Sequence, residues 1–196
     1  MQKLFVYTQN QHKLSEIQTI FQDAGLSILP YTQAGYAPID IAETGTTFTQ
    51  NAMLKVQPFT IQPNTYLIGD DSGICVQALG GRPGIYSARY GGEGLSSTAQ
   101  CQMLLEELKA HNDRRAYFKS VIAIKTPSQE ILTVEGRVDG TISHQIRGEK
   151  GFGYDPIFIP DGYQKTFAEM DPKTKNTLSH RYKALIKTKQ AILAFH

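Results

Sequence analysis

The sequence has no apolar run approaching the length of a membrane span, so no membrane partner is expected. Met1-Gln2-Lys3 leads straight into Leu4-Phe5-Val6-Tyr7, which is too short for a secretory signal and lacks a small-residue cleavage site. A cytoplasmic location is therefore expected. Cysteine is scarce: Cys75 and Cys101 lack the close spacing of a metal or redox pair, and their apolar neighbourhoods suit buried free thiols in a reducing compartment. Charge of neither sign dominates. With 20 Lys plus Arg against 18 Asp plus Glu, the net charge of +2 gives little drive toward a polyanion, and no nucleic-acid partner is expected. Internal repeats, low-complexity runs and a clear linker are also missing, so residues 1–196 read as one domain with two lobes and a cleft. What is present, 40% hydrophobic and 19% charged residues, is ordinary for a globular protein with a substantial core.

The chain is organised around Gly69-Asp70-Asp71-Ser72-Gly73. The apolar Tyr66-Leu67-Ile68 delivers two carboxylates and a hydroxyl to a turn that the glycines on either side permit. Paired acids there suggest a divalent metal; the alternative is a plain surface turn. Neighbouring strand residues point to opposite faces, so one acid is expected to carry chemistry and the other to brace it. Upstream, the Lys3–Tyr7 strand enters the polar loop Thr8-Gln9-Asn10-Gln11-His12-Lys13, and Leu14, Ile17, Ile20, Phe21 and Ala24 then repeat at helical spacing before Gly25. Orphan N–H groups and the Lys13 ammonium would suit phosphate oxygens, although an ordinary strand-to-helix turn reads the same way. Glu43 precedes a helix start at Thr46-Thr47-Phe48, where it either complements the helix dipole or ligates a metal.

Other elements follow from pattern alone. Ser27–Leu29 and Ile74–Leu79 read as short strands, Gly80–Gly84 as a turn and Ser97–His111 as an amphipathic helix. Arg89, between Tyr86 and Tyr90, suits a phosphate clamp, a subunit contact or a mobile surface loop. Ala116–Lys125 and Ile131–Val138 form a predicted hairpin, with a turn at Asp139-Gly140 and a third strand over Thr141–Ile146. Gly151-Phe152-Gly153-Tyr154-Asp155-Pro156 hangs two aromatics and an acid on glycines, in a form suited either to stacking on a base or to core packing. Phe167–Met170 reads as a helical turn that Asp171–Lys175 breaks before a final helix capped by Ser179. His180, Arg181 and Lys183 in its first turn oppose the dipole preference unless something acceptor-rich faces them.

Taken together, TQNQHK (Thr8 to Lys13), ETGTTFTQNA (Glu43 to Ala52), DDSG with ALGGRPGIYSARYGG (Asp70 to Gly92), GFGYDP (Gly151 to Pro156), KTFAEM (Lys165 to Met170) and NTLSHR (Asn176 to Arg181) resemble the Ham1/RdgB/inosine triphosphatase family nearly end to end. The resemblance implies a mixed α/β fold with an elongated mixed central sheet flanked by helices, two lobes and a central cleft. It further implies a homodimer and Mg²⁺-dependent release of pyrophosphate from non-canonical purine nucleoside triphosphates. By position, Thr8, Gln9, Asn10, Gln11, His12, Lys13 and Ser72 would hold the substrate. Glu43 and Asp71 would hold the metal, Asp71 would also accept the water proton with Lys13 assisting, and Asp70 would support it. Phe152, Gly153, Tyr154 and Asp155 would border the nucleoside, and Lys175, His180 and Arg181 would read the purine edge. Two positions depart from the pattern: Gln9 stands where Gly is usual, and Gln50 where Glu is frequent. Gln50 leaves open whether a further carboxylate lies near the metal.

Overall fold

The computed structural model describes residues 2–8, 10–36 and 39–194; of His12 it describes the backbone. Lys3–Tyr7 forms β1, Gln11–Phe21 α1, Ser27–Pro30 β2, Phe48–Leu54 α2 and Thr65–Val76 β3. Ser97–Glu107 is α3, Arg115–Lys125 β4, Ile131–Ile142 β5, Phe158–Pro160 β6, Pro172–Leu178 α4 and His180–Leu193 α5. The six strands make one mixed sheet in the order β2-β1-β3-β4-β5-β6, with β1 parallel to both β2 and β3 and β6 antiparallel to β5.

The chain divides into two compact units. The first comprises residues 1–71, 120–136 and 181–196. Its core joins Leu4 and Val6 of β1, Ile17 and Phe21 of α1, and Ile68 of β3 to Ala184, Leu185 and Ile192 of α5. The apolar spacing seen in the sequence is thus the buried stripe of each helix. The second unit comprises residues 72–119 and 137–180, and packs Ile74, Val76, Leu104, Phe118, Tyr154, Phe158 and Phe167 around a separate core.

The structure corrects three expectations, two of them where a glycine was read as a turn. β3 continues straight through Gly69–Gly73 as a strand of 12 residues. A Cβ on Gly69 would lie 2.6 Å from Lys55 Cβ, and one on Gly73 2.3 Å from the Gly84 carbonyl oxygen, so these glycines admit close neighbours rather than a reversal. β5 likewise passes through Asp139-Gly140 to Ile142, and no third strand covers 141–146. Gly140 pairs with Pro160, and a Cβ there would meet the Ile159 carbonyl oxygen at 2.2 Å. The turn over Phe167–Glu169 does end before Asp171, but Asp171-Pro172 then begins a helix instead of an irregular stretch: the Asp171 side chain accepts from the Lys173 and Thr174 amides, and Pro172 occupies a first-turn position that needs no donor.

Candidate active site

In the first unit, β1 ends at the 8–10 loop, and α1 begins beyond it. Thr8 Oγ1 accepts the Asn10 amide at 3.1 Å and Asn10 Oδ1 accepts the Lys13 amide at 3.3 Å, so both side chains are tied to backbone amides at the entry to α1. Gln9 and the His12 side chain lie outside the described residues; Gln11 opens α1 at an exposed position. Lys13 reaches Asp70 Oδ2 at 2.6 Å. Asp70 also accepts from Ser120 Oγ at 2.7 Å and from Arg181 Nε at 3.4 Å, while Arg181 Nη1 pairs with Glu16 at 2.8 Å. Burial by itself would raise the Asp70 carboxyl, but the Lys13 and Arg181 charges and the Lys13 and Ser120 hydrogen bonds hold it well below the usual carboxylate range. The cations at the start of α5, unfavourable against its dipole, thus include one answered by two carboxylates of the same unit.

Asp71, the next residue along β3, contacts a different set. Lys55 Nζ lies 2.7 Å from Glu43 Oε1 and 3.6 Å from Asp71 Oδ1, and it donates to the Asp70 main-chain oxygen at 2.7 Å. Burial raises Lys55's neighbour Asp71 to about 6, with the Glu43 and Asp70 charges adding to the rise and Lys55 opposing it. Lys55 itself is raised: burial works against its charge, but Asp71 and Glu43 outweigh it. Asp71 Oδ2 is buried and lacks a hydrogen bond of ordinary geometry, with the Asn51 side chain, likewise unsatisfied at Nδ2, acting to lower the carboxyl. A carboxylate oxygen left so under-satisfied next to a second carboxylate is a donor set for a hard divalent cation. No group of three or more His, Cys, Asp or Glu placed for a metal occurs among the described residues. Two carboxylates, completed by water and phosphate oxygens, is the coordination that Mg²⁺ favours, so the residues fit that ion. Around this centre, Lys13, Lys55 and Arg181 face Glu16, Glu43, Asp70 and Asp71, three cations against four carboxylates. Gln50 adds no acid: its Oε1 accepts from the Thr46 amide and hydroxyl at 2.7 and 2.9 Å, and Thr47 caps α2 by accepting the Gln50 amide.

In the second unit, Ser72 follows Asp71 along β3 and is half-buried. Asp155 Oδ2 accepts from Lys175 Nζ at 2.6 Å and from the Phe152 amide at 2.8 Å. Gly151 permits that loop, since a Cβ there would stand 2.1 Å from the same oxygen. Lys175 Nζ sits 4.9 Å from the centre of the Phe152 ring. Gly153 has φ +59°, and Tyr154 after it turns into the core, where its hydroxyl donates to the Ser87 carbonyl at 2.9 Å. Of the two aromatics on this loop, Phe152 is the half-buried one. His180, the first residue of α5, stacks on Phe118 with rings 4.7 Å apart and 7° from parallel. Arg89 lies over the exposed Tyr86 ring at 5.0 Å.

Lys55, Glu16 and Ser120 were missed as site residues. Lys55 carried a signal, a lysine on the apolar repeat of α2 beside Phe48, Ala52 and Val56. Ser120 did too, as a hydroxyl in the middle of a β-rich run. Glu16 shows nothing in sequence to set it apart from any helix-surface acid.

The Ham1 family model matches residues 4–191. A dITP/XTP pyrophosphatase from Nautilia profundicola is 44% identical over 186 residues, 93% of each chain, and one from Bacillus subtilis is 40% identical over 196 residues, covering 99% of this chain and 98% of that one. Among solved structures, the Staphylococcus aureus Ham1 protein superposes with a TM-score of 0.89 at 36% identity, covering all of both chains. A HAM1 protein from Coxiella burnetii gives 0.88 at 36% identity, covering 99% of this chain and all of that one.

Proposed function

The chain belongs to the Ham1 family, and from that premise we propose that it hydrolyses the non-canonical purine nucleoside triphosphates ITP, dITP and XTP to monophosphate and pyrophosphate, cleansing the nucleotide pool of deaminated purines. The observation that carries the catalytic half is the buried, under-satisfied Asp71 Oδ2 beside Glu43 and Lys55.

Water attacks the α-phosphorus, the bond from that phosphorus to the bridging oxygen breaks, and pyrophosphate leaves. Asp71 takes the water proton; with its carboxyl raised to about 6 it matches a general base working near neutral pH. Glu43 and Asp71 would hold Mg²⁺, which when bound supplies charge for the phosphates and acidifies water. Lys13 meets the phosphates from the 8–13 loop together with Thr8, Gln9, Asn10, Gln11, His12 and Ser72, and balances the charge of the departing pyrophosphate. Lys55, which bridges Glu43 and Asp71, adds a further positive charge on the side of the site where the phosphates would lie. Asp70, saturated by Lys13, Ser120 and Arg181, is the brace.

Phe152, Gly153 and Asp155 border the nucleoside, with Phe152 the stacking ring and Tyr154 supporting the loop from beneath. Lys175, His180 and Arg181 supply donors for a 6-keto oxygen. A 6-amino group offers hydrogens where these donors need an acceptor, a mismatch worth orders of magnitude in selectivity. A cytoplasmic location, supported by two buried free thiols, and a homodimer, resting on the family resemblance, complete the reading.

The test incubates the protein with Mg²⁺ and, separately, inosine, xanthosine, adenosine and guanosine triphosphates, and quantifies all phosphate products. Monophosphate plus pyrophosphate from the first two alone is expected. Diphosphate plus orthophosphate would overturn attack at the α-phosphorus, and equal turnover of ATP would overturn the base preference.

A further inference from the structure

Glu43 stands on a stretch, residues 39–45, that has no helix or strand of its own. Its backbone needs holding from outside, because a carboxylate on a loose segment cannot keep a ligand geometry. The fixtures past Glu43 come from α2: the Gly45 amide donates to Asn51 Oδ1 at 2.8 Å, and Lys55 grips the carboxylate itself. Ahead of Glu43, the Tyr7 side chain holds the segment. Tyr7, the last residue of β1, donates its hydroxyl to the Ile39 carbonyl at 2.7 Å and accepts the Ile41 amide at 3.1 Å, so a single oxygen fastens the main chain at two points two residues apart. The ring is itself fixed, 8% exposed and packed on Tyr31 at 4.6 Å and Phe59 at 5.8 Å. Beyond Ile41, the Thr44 amide closes a turn onto the Ala42 carbonyl at 3.0 Å, directly around Glu43.

We propose that Tyr7 is a positioning residue for the metal ligand Glu43, acting through the main chain of residues 39–41. The inference rests on Glu43 holding the cation, as in the proposed function. It assigns to the end of β1 a second task besides leading into the phosphate loop. Tyr7 touches neither phosphate nor metal; its hydroxyl fixes where the segment that carries the ligand begins.

Tyr7→Phe deletes only the hydroxyl and keeps the ring on Tyr31 and Phe59. Mn²⁺ is titrated into the protein holding α,β-methylene-bridged inosine triphosphate, which cannot release pyrophosphate, and free Mn²⁺ is read by electron paramagnetic resonance. The metal-free affinity for the same analogue and the metal-free Tm are measured alongside, with Glu43→Gln as the reference variant. Expected is a loss of Mn²⁺ affinity of about tenfold in Tyr7→Phe, the lower end for groups that orient a ligand, with metal-free analogue binding unchanged. Unchanged Mn²⁺ affinity in Tyr7→Phe, with a loss in Glu43→Gln, overturns the role of Tyr7 and leaves Glu43 as ligand. An equal loss of metal-free analogue binding in Tyr7→Phe also overturns it, since Tyr7 would then support the phosphate loop generally. Unchanged Mn²⁺ affinity in Glu43→Gln removes the metal reading of Glu43, and the inference falls with it.

Discussion

Two adjacent aspartates in one strand end with opposite electrostatics, and the difference lies in their neighbours. Asp70 is held well below the ordinary range by Lys13 and Arg181 despite its burial, whereas burial with Glu43 and Asp70 nearby lifts Asp71 to about 6. A carboxyl whose folded value lies above its unfolded 3.8 favours the folded state when protonated, so without metal Asp71 adds stability as pH falls from 6 toward 4 and costs stability at neutral pH. Asp71→Asn removes that cost. The metal-free variant is expected to be more stable than the parent at pH 7, by up to about 3 kcal/mol, and equal to it near pH 4, while turnover falls by a factor of about 10² to 10⁴. Denaturant unfolding at both pH values with chelator present checks this. A variant less stable at pH 7 would mean that Asp71 is satisfied in the fold and is not held in readiness for a cation.

At the scale of elements, α2 is pressed onto β3 because Gly69 has no side chain. A Cβ there would meet Lys55 Cβ at 2.6 Å, the Ala52 carbonyl oxygen at 3.1 Å and Val56 Cγ1 at 3.2 Å. The contacts are mostly helix body, which cannot swing aside as a side-chain tip does. Gly69→Ala is therefore expected to move α2 outward and cost about 1–3 kcal/mol, read from the urea midpoint. Because α2 carries Asn51 and Lys55 caps its C-terminal end, the same variant should lose turnover beyond what its stability explains when assayed well below its Tm. Full activity at full stability would show that the helix is not seated by this contact.

The two cores are complete without any bound group, the first unit closing over Ile17, Ile68 and Leu185 and the second over Leu104, Phe118 and Phe158. In the first unit Lys55 already bridges Glu43 and Asp71, supplying positive charge where the cation is proposed to sit. Chelation is therefore expected to abolish turnover yet lower Tm by no more than about 4 °C, the shift that about 1 kcal/mol of linked binding produces in a protein of this size. A large cooperative loss of structure on chelation would make the metal a structural part of the fold. No described helix is long and apolar enough to cross a membrane.

The sequence by itself determined the local elements. The apolar repeats of α1, α3 and α5 and the β-rich runs of β1 and β4 are written in neighbouring residues, and so are the glycine and threonine signals that start or stop helices. It also carried the order of motifs on which the family likeness rests, because motif order survives without knowledge of contacts. Only the tertiary structure decided what each glycine and each charge is for. Gly69, Gly73 and Gly140 look like turn residues until a neighbouring backbone is brought against them. Arg181 looks like a cation misplaced against its helix dipole until Asp70, 111 residues earlier, and Glu16 are found within its reach. Lys55 looks like a flaw in a helix stripe until Glu43 and Asp71 close around it. Periodicity is a property of adjacent residues, whereas charge pairing and close approach belong to residues far apart in the chain, and only the folded backbone brings those together.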